Sequence, residues 1–291
     1  MTSLPADAYD LATLLAAWEE SLHAISELGR RLTPEQWRAP TECPGWDCGD
    51  IVRHTSWIES FLGGRTDPAH LVEWDERPHV VNDFGRLTET GVDVRRPLDQ
   101  AAACEELDSL IDLRLSQLMG LDPFTLDSEV TGLFGRPVPV RNLLRVRLLD
   151  AWTHEQDVRR AAALPANLAS LPATVAAAQL VSTLPFVLSR NVEAPVGTTM
   201  RVTVTGALAF ESWAGVDEDG RGVDIDDLGR PGTDATLGIT TDWETYARLG
   251  AGRLDVTDPA VLARCELYAD PAEPGAAELA ARIPEALAIT P

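Results

Sequence analysis

The chain has 291 residues, 45% hydrophobic and 24% charged, with 46 acidic against 24 basic side chains and a formal net charge of -22. That length holds about two domains, the composition is that of a globular protein rather than a disordered or fibrous one, and the acidity excludes a phosphate backbone as partner, since the densest basic runs are the pairs Arg30-Arg31, Arg95-Arg96 and Arg159-Arg160. No apolar run reaches the ~18–20 residues of a membrane span, and the N-terminus MTSLPADAYD has neither the basic nor the apolar region of a signal peptide. The four cysteines are too few for a disulfide framework at this size, so the expectation is a cytoplasmic chain, monomeric or homodimeric, with no nucleic-acid and no membrane partner.

Leu11, Leu14, Leu15, Trp18, Leu22, Ile25 and Leu28 recur at three and four residues and predict a first amphipathic helix. Thr33 as N-cap with Pro34 at the first helical position predicts a short helical turn, and Thr41–Gly45 a turn containing proline and glycine. A second helix is expected from about Asp47 through His54 and Trp57 to Gly63-Gly64, followed by loop over 65–80. A third covers roughly Leu98–Met119, a turn-rich stretch Asp122–Pro139 follows, and a fourth spans about Arg141–Ala163. Four main helices with a long crossing connection predict an all-α four-helix bundle over residues 1–165.

Leu164–Ala173 carries two prolines and reads as a linker. Beyond it come a helix at about 173–190 and the alternating strand Met200–Gly206. Ala207–Ala214 is its expected hairpin partner, and Thr236–Thr240 a further short strand. Helices are expected at about 241–250, 258–268 and 274–287. Residues 166–291 therefore read as a smaller α+β domain.

His54 and His154 lie inside amphipathic helices beside carboxylates and tryptophans. In RLLDAWTHEQDVRRA, Asp150 and His154 are one helical turn apart and share a face, with Asp157 three residues further on. Such a pair can point into a bundle and meet a ligand from a facing helix, for which His54 is the natural third member. Two nitrogens and one oxygen suit Zn²⁺, with Ni²⁺, Fe²⁺, Mn²⁺ and Co²⁺ as alternatives, and three protein ligands leave a position open for water or substrate. The competing reading of the same spacing is a buried ion pair, with Asp150 orienting His154 or pairing with Arg147. Arg147 and Asp157 are the candidate catalytic side chains: Arg147 either holds Asp150 or reaches a substrate carboxylate, and Asp157 either orients His154 or pairs at the surface with Arg160 or Arg53. Trp57 and Trp152, with Trp46, are core residues or the walls of a cofactor pocket. Cys43 and Cys48 offer a less regular zinc site with His54.

The stretch WRAPTECPGWDCGDIVRHTSWIESFLGG and the later RVRLLDAWTHEQDVRRA resemble the mycothiol-dependent maleylpyruvate isomerase family, a branch of the DinB-like helical bundles. DATLGITTDWETYARLGAGR and the ending ARIPEALAITP fit that family's C-terminal, sterol-carrier-like domain, so the likeness spans nearly the whole chain. The resemblance implies metal ligands at His54, Asp150 and His154, and it implies mycothiol or another low-molecular-weight thiol as cofactor. Where the characterised isomerase type has a glutamate, this chain has the shorter Asp150. The resemblance implies an isomerase or S-transferase acting on a small electrophile. The alternative is a non-catalytic, metal-containing protein that binds a small molecule or lipid.

Overall fold

The computed structural model describes residues 9–121, 125–132, 136–225 and 235–290. The N-terminal MTSLPADA and, within the expected turn-rich stretch, residues 122–124 and 133–135 lie outside the described residues. The chain forms two units, Tyr9–Asn167 and Leu168–Pro291.

In the first unit, helix α1 (Leu11–Arg31) starts where Asp10 accepts the amide hydrogen of Thr13. Its stripe of Leu14, Trp18, Leu22 and Ile25 is at most 1% exposed, because these positions face α5 and α6 across the unit's core. Helix α2 (Pro34–Trp37) has the reciprocal Thr33–Gln36 capping box with Pro34 in the first turn. Helix α3 (Cys48–Leu62) begins where Asp47 accepts the amide hydrogen of Asp50 at 2.7 Å. Then follow α4 (Asp83–Arg95), α5 (Gln100–Met119), the hairpin β1 (Glu129–Thr131) and β2 (Pro137–Pro139), and α6 (Val140–Ala161).

The four-helix expectation needs correcting at α4, a 13-residue helix with no predicted counterpart. Its buried positions are Thr88, Glu89, Gly91, Val92 and Arg95, so Val92 is the one apolar side chain in the set and the usual periodic signal is missing. Polar bonds and one close approach hold it instead. A Cβ on Gly91 would lie 2.1 Å from the Trp57 ring, and glycine therefore lets α4 close onto α3.

The second unit opens with α7 (Leu171–Val181) and α8 (Leu184–Phe186), extended by one π-turn over Val187–Asn191. Ser170 caps α7, so the helix starts inside the stretch expected to be linker. Leu171–Asn191 is long and apolar enough by composition to cross a membrane, with mean hydropathy 1.6, which corrects the expectation that no run is. However, 67% of it is buried in the fold, as in a core helix. Strands β3 (Thr199–Thr205), β4 (Phe210–Val216), β5 (Gly222–Asp224) and β6 (Leu237–Asp242) precede α9 (Trp243–Gly250), α10 (Pro259–Leu262), β7 (Glu266–Ala269) and α11 (Ala276–Ala286). The sheet order is β5-β4-β3-β6-β7, with β3 and β6 parallel and the other pairs antiparallel. Met200, Val202 and Val204 alternate inward from β3, all fully buried. The helix expected at 258–268 is instead α10 followed by edge strand β7, where Leu267 and Tyr268 pair with β6 and their β-forming character prevails.

Candidate functional site

One turn and two helices of the first unit supply the site. The turn before α3 is closed by the Trp46 amide donating to the Cys43 carbonyl at 3.1 Å and by a bridge between Pro40 and Asp47. Gly45 sits there at φ +80°, and a Cβ on it would lie 2.3 Å from the His79 ring, so both conformation and space require glycine. The turn aims Cys43 and Trp46 at α3 and α6. The Trp46 ring stands 4.8 Å from that of His54 and 6.2 Å from that of His154, and the two histidine rings are 4.9 Å apart.

His54 on α3 and Asp150 and His154 on α6 converge as the helix spacing predicts. Their ligand atoms lie within 4.8 Å of one another. Asp150 Oδ2 is 3.7 Å from His54 Nε2, and Asp150 Oδ1 is 3.6 Å from His154 Nε2, both beyond hydrogen-bond reach. His54 Nδ1 is buried with no hydrogen-bond partner among the described residues. Two buried imidazoles and a carboxylate that face one another at ion-pair rather than hydrogen-bond distance form a donor set that a divalent ion fits. The Asp150 side chain, 31% exposed, is the open side of the cluster.

Around this set lies a tightly bonded frame. Arg147 is 2% exposed and donates to Glu59 Oε1 from two nitrogens, at 3.2 and 3.0 Å, and to Asp150 Oδ2 at 2.5 Å. Glu59, itself fully buried, also accepts from Arg114 at 3.3 Å. On the far edge of its ring His154 Nδ1 is 3.2 Å from Asp157 Oδ2, and Asp157 Oδ1 accepts from Arg160 at 2.8 Å. Burial pushes the His54 pKa down to about 4, outweighing the neighbouring Asp150. For His154, burial alone would lower the pKa, but the Asp150 charge and its carboxylate contacts carry it well above the usual histidine value. Burial would raise Asp150, yet Arg147 and His154 hold it well below the usual carboxylate range.

Of the candidate tryptophans, Trp57 stands 6.0 Å from the His54 ring. Trp152 precedes His154 by two residues, about 200° around the helix, and donates its indole N–H to the Asn167 carbonyl at 3.0 Å. Cys48 joins neither cluster of ligand atoms among the described residues, and burial, with Asp47 and Asp157 nearby, pushes its thiol up to about 12. Cys43 instead joins His154 and Asp157. Sequence reasoning passes over Glu59, since a single glutamate on a buried helix face carries no motif. It also passes over Glu89, which accepts from Trp46 Nε1 at 2.7 Å and anchors the tryptophan covering His54. Beside the turn, an open cleft of about 440 Å³ is lined by Gly45, Asp50, Arg77, His79 and Arg96 among others, its arginines paired with Asp50, Glu89 and Asp93.

Residues 7–159 match the family model for the mycothiol maleylpyruvate isomerase N-terminal domain. The chain belongs to this family. Two crystal structures, of a mycothiol-dependent maleylpyruvate isomerase and of a histidine-to-alanine mutant of it, are each similar to this chain at 14% identity and a TM-score of 0.52. The alignment covers 87% of this chain and 93% of each of theirs, a likeness of fold. No curated protein matches the chain.

Proposed function

We propose that this chain is a thiol-dependent isomerase or S-transferase that acts on a small electrophile, with mycothiol or a related low-molecular-weight thiol and a divalent ion held by His54, Asp150 and His154. The observation that carries this reading is the convergence of those three side chains, their ligand atoms within 4.8 Å of one another, with the carboxylate partly exposed. The donor set favours Zn²⁺, with Ni²⁺, Fe²⁺, Mn²⁺ and Co²⁺ as alternatives. When bound, such an ion lowers the pKa of a thiol so that thiolate is present at neutral pH, and a thiolate is a nucleophile that can also depart.

The remaining work belongs to the chain's own side chains. Arg147 fixes Asp150 between two buried partners and is a positioning residue, because its guanidinium is committed to Glu59 and Asp150. Asp157 Oδ2 lies 3.2 Å from His154 Nδ1 and so holds the ring with Nε2 facing Asp150. Trp46 and Trp57 pack about His54 and exclude water from that side. Substrate and thiol would enter at the Asp150 side.

The test is metal content per chain, measured beside thiol-dependent turnover of small electrophiles, on wild type, His154→Ala and Asp150→Asn. A single ion in wild type, lost together with turnover in His154→Ala, is the expected result. Full thiol-dependent turnover by the metal-free chain, or an ion retained in His154→Ala, overturns the reading.

A further inference from the structure

The far edge of the His154 ring carries a second set of ligand atoms that the reading above uses only to orient the ring. Cys43 Sγ is 3.8 Å from His154 Nδ1 and 3.4 Å from Asp157 Oδ2, and those two atoms are 3.2 Å apart. Zinc lies about 2.3 Å from sulfur and about 2.0–2.2 Å from nitrogen or oxygen, so donors on one tetrahedral ion stand roughly 3.3–3.6 Å from each other. The triangle already has nearly those edges. It is also dry: Asp157 is 0%, His154 5% and Cys43 8% exposed. Arg160 bonds the other Asp157 oxygen at 2.8 Å, which holds the carboxylate in place beside the thiol and the ring.

We propose that Cys43, Asp157 and His154 Nδ1 form a second metal site, selective for thiophilic divalent ions, which competes with the His54–Asp150–His154 set for one imidazole. Binding there releases the Cys43 proton and the Nδ1 proton of His154 to solvent and leaves the remaining ring proton on Nε2. Nε2 then has no lone pair to offer the first set. Zn²⁺ can take either set, and a thiophilic ion at Cys43 switches the first set off, whereas a hard ion with little affinity for sulfur leaves it intact.

Co²⁺ titrated into the metal-free full-length chain tests this, read by near-ultraviolet thiolate-to-cobalt absorption and by bound cobalt per chain. The His54→Ala/Asp150→Asn double variant removes the first set alone. It is expected to bind Co²⁺ with the thiolate band, and adding Cys43→Ser is expected to abolish both. Wild type is expected to take up no more than a single ion. Absence of the thiolate band in the double variant, or its survival after Cys43→Ser, overturns the second site. Two ions in wild type overturn the competition. Asp157→Asn in the double-variant background, expected to weaken cobalt binding with the thiol intact, serves if the serine variant does not fold. The first set is judged separately, by sulfur-free cobalt absorption in the Cys43→Ser single variant, so either site can fail without the other.

Discussion

Replacing Arg147 with methionine removes the charge lying between Glu59 and Asp150 while keeping most of the side chain's volume. Taking one partner from a buried ion pair costs about 3–5 kcal/mol, because the other charge is left in the interior. Two features place the cost at the lower end. Arg114 still donates to Glu59 at 3.3 Å, and Asp150, whose side chain is 31% exposed, can turn to water. The expected destabilisation is therefore about 3 kcal/mol. Glu59→Gln removes the opposite charge but leaves Arg147 bonded to Asp150, for about 1–2 kcal/mol. In the double variant the buried Glu59 charge that Arg147→Met would orphan is itself gone, so the combined cost should fall short of the sum by about 1–2 kcal/mol. Urea denaturation of the four metal-free proteins, followed by far-ultraviolet circular dichroism, measures this cycle. Additive costs, or a loss below about 1 kcal/mol for Arg147→Met, would refute the account, since Glu59 would then be solvated rather than dependent on Arg147.

Asp157→Asn should weaken zinc binding about 10–100-fold in a chelator competition, because the His154 ring loses the carboxylate that sets its tautomer; unchanged affinity contradicts that role. Gly91→Ala places a methyl group 2.1 Å from the Trp57 ring. It should cost about 1–3 kcal/mol and shift tryptophan emission, and a silent substitution would mean α4 is not tightly docked. Burial alone would raise Asp93, but His70, Arg77 and Arg96 hold it down to about 2, below its ordinary 3.8. A depressed carboxylate stabilises the fold above the unfolded pKa, and that contribution disappears as pH falls from about 4 through 2. Asp93→Asn should accordingly flatten this part of the acid limb by about 1–2 kcal/mol, after allowance for solvent screening of partly exposed pairs. An identical acid limb in wild type and variant would show that these bonds do not depress Asp93.

Local signals in the sequence were legible where the physics is local. Thr33 and Asp47 both cap helices where expected, since a side-chain oxygen two or three residues from an amide needs no tertiary context. The one-turn spacing of Asp150 and His154 likewise survives into the structure, because both sit on a long buried helix. Partners across the fold were less legible. His54 was joined to the α6 pair only as a histidine inside another amphipathic helix, a set that the family resemblance also implied, as no spacing rule links residues a hundred positions apart. Helix α4 was invisible because it buries Glu89 and Arg95 rather than an apolar stripe, and β7 because four edge residues after a short helix read as its continuation. Cys43 had been weighed with Cys48 as a sequence pair. The turn instead sends Cys43 to His154 and Asp157, which is a tertiary fact.

The two histidines also bear on how an ion would compete with protons. In the metal-free chain His54 is held neutral down to about 4 by burial. Its unfolded counterpart takes up a proton at about 6.5, so its contribution to stability is lost as pH falls from about 6.5 to 4, by roughly 3 kcal/mol. His154 works in the opposite sense: its folded pKa is raised, and the stability it adds is full below about 6.5 and lost as pH climbs through the folded value. Near neutrality one ring is thus ready to ligate, while the other must first give up a proton. Ion binding should release about one proton at pH 7, and zinc affinity should rise close to tenfold per pH unit until His154 has titrated. Calorimetry in buffers of different ionisation enthalpy counts that proton. Zinc affinity independent of pH between about 6 and 8, with no proton released, would mean that His154 is neutral in the metal-free chain and that Asp150 does not hold its charge. The shorter aspartate in place of the glutamate in the isomerase type then has a physical consequence. Bound at 2.5 Å to Arg147 and facing both imidazoles, Asp150 sets the proton cost of loading the site as well as contributing one of its ligands.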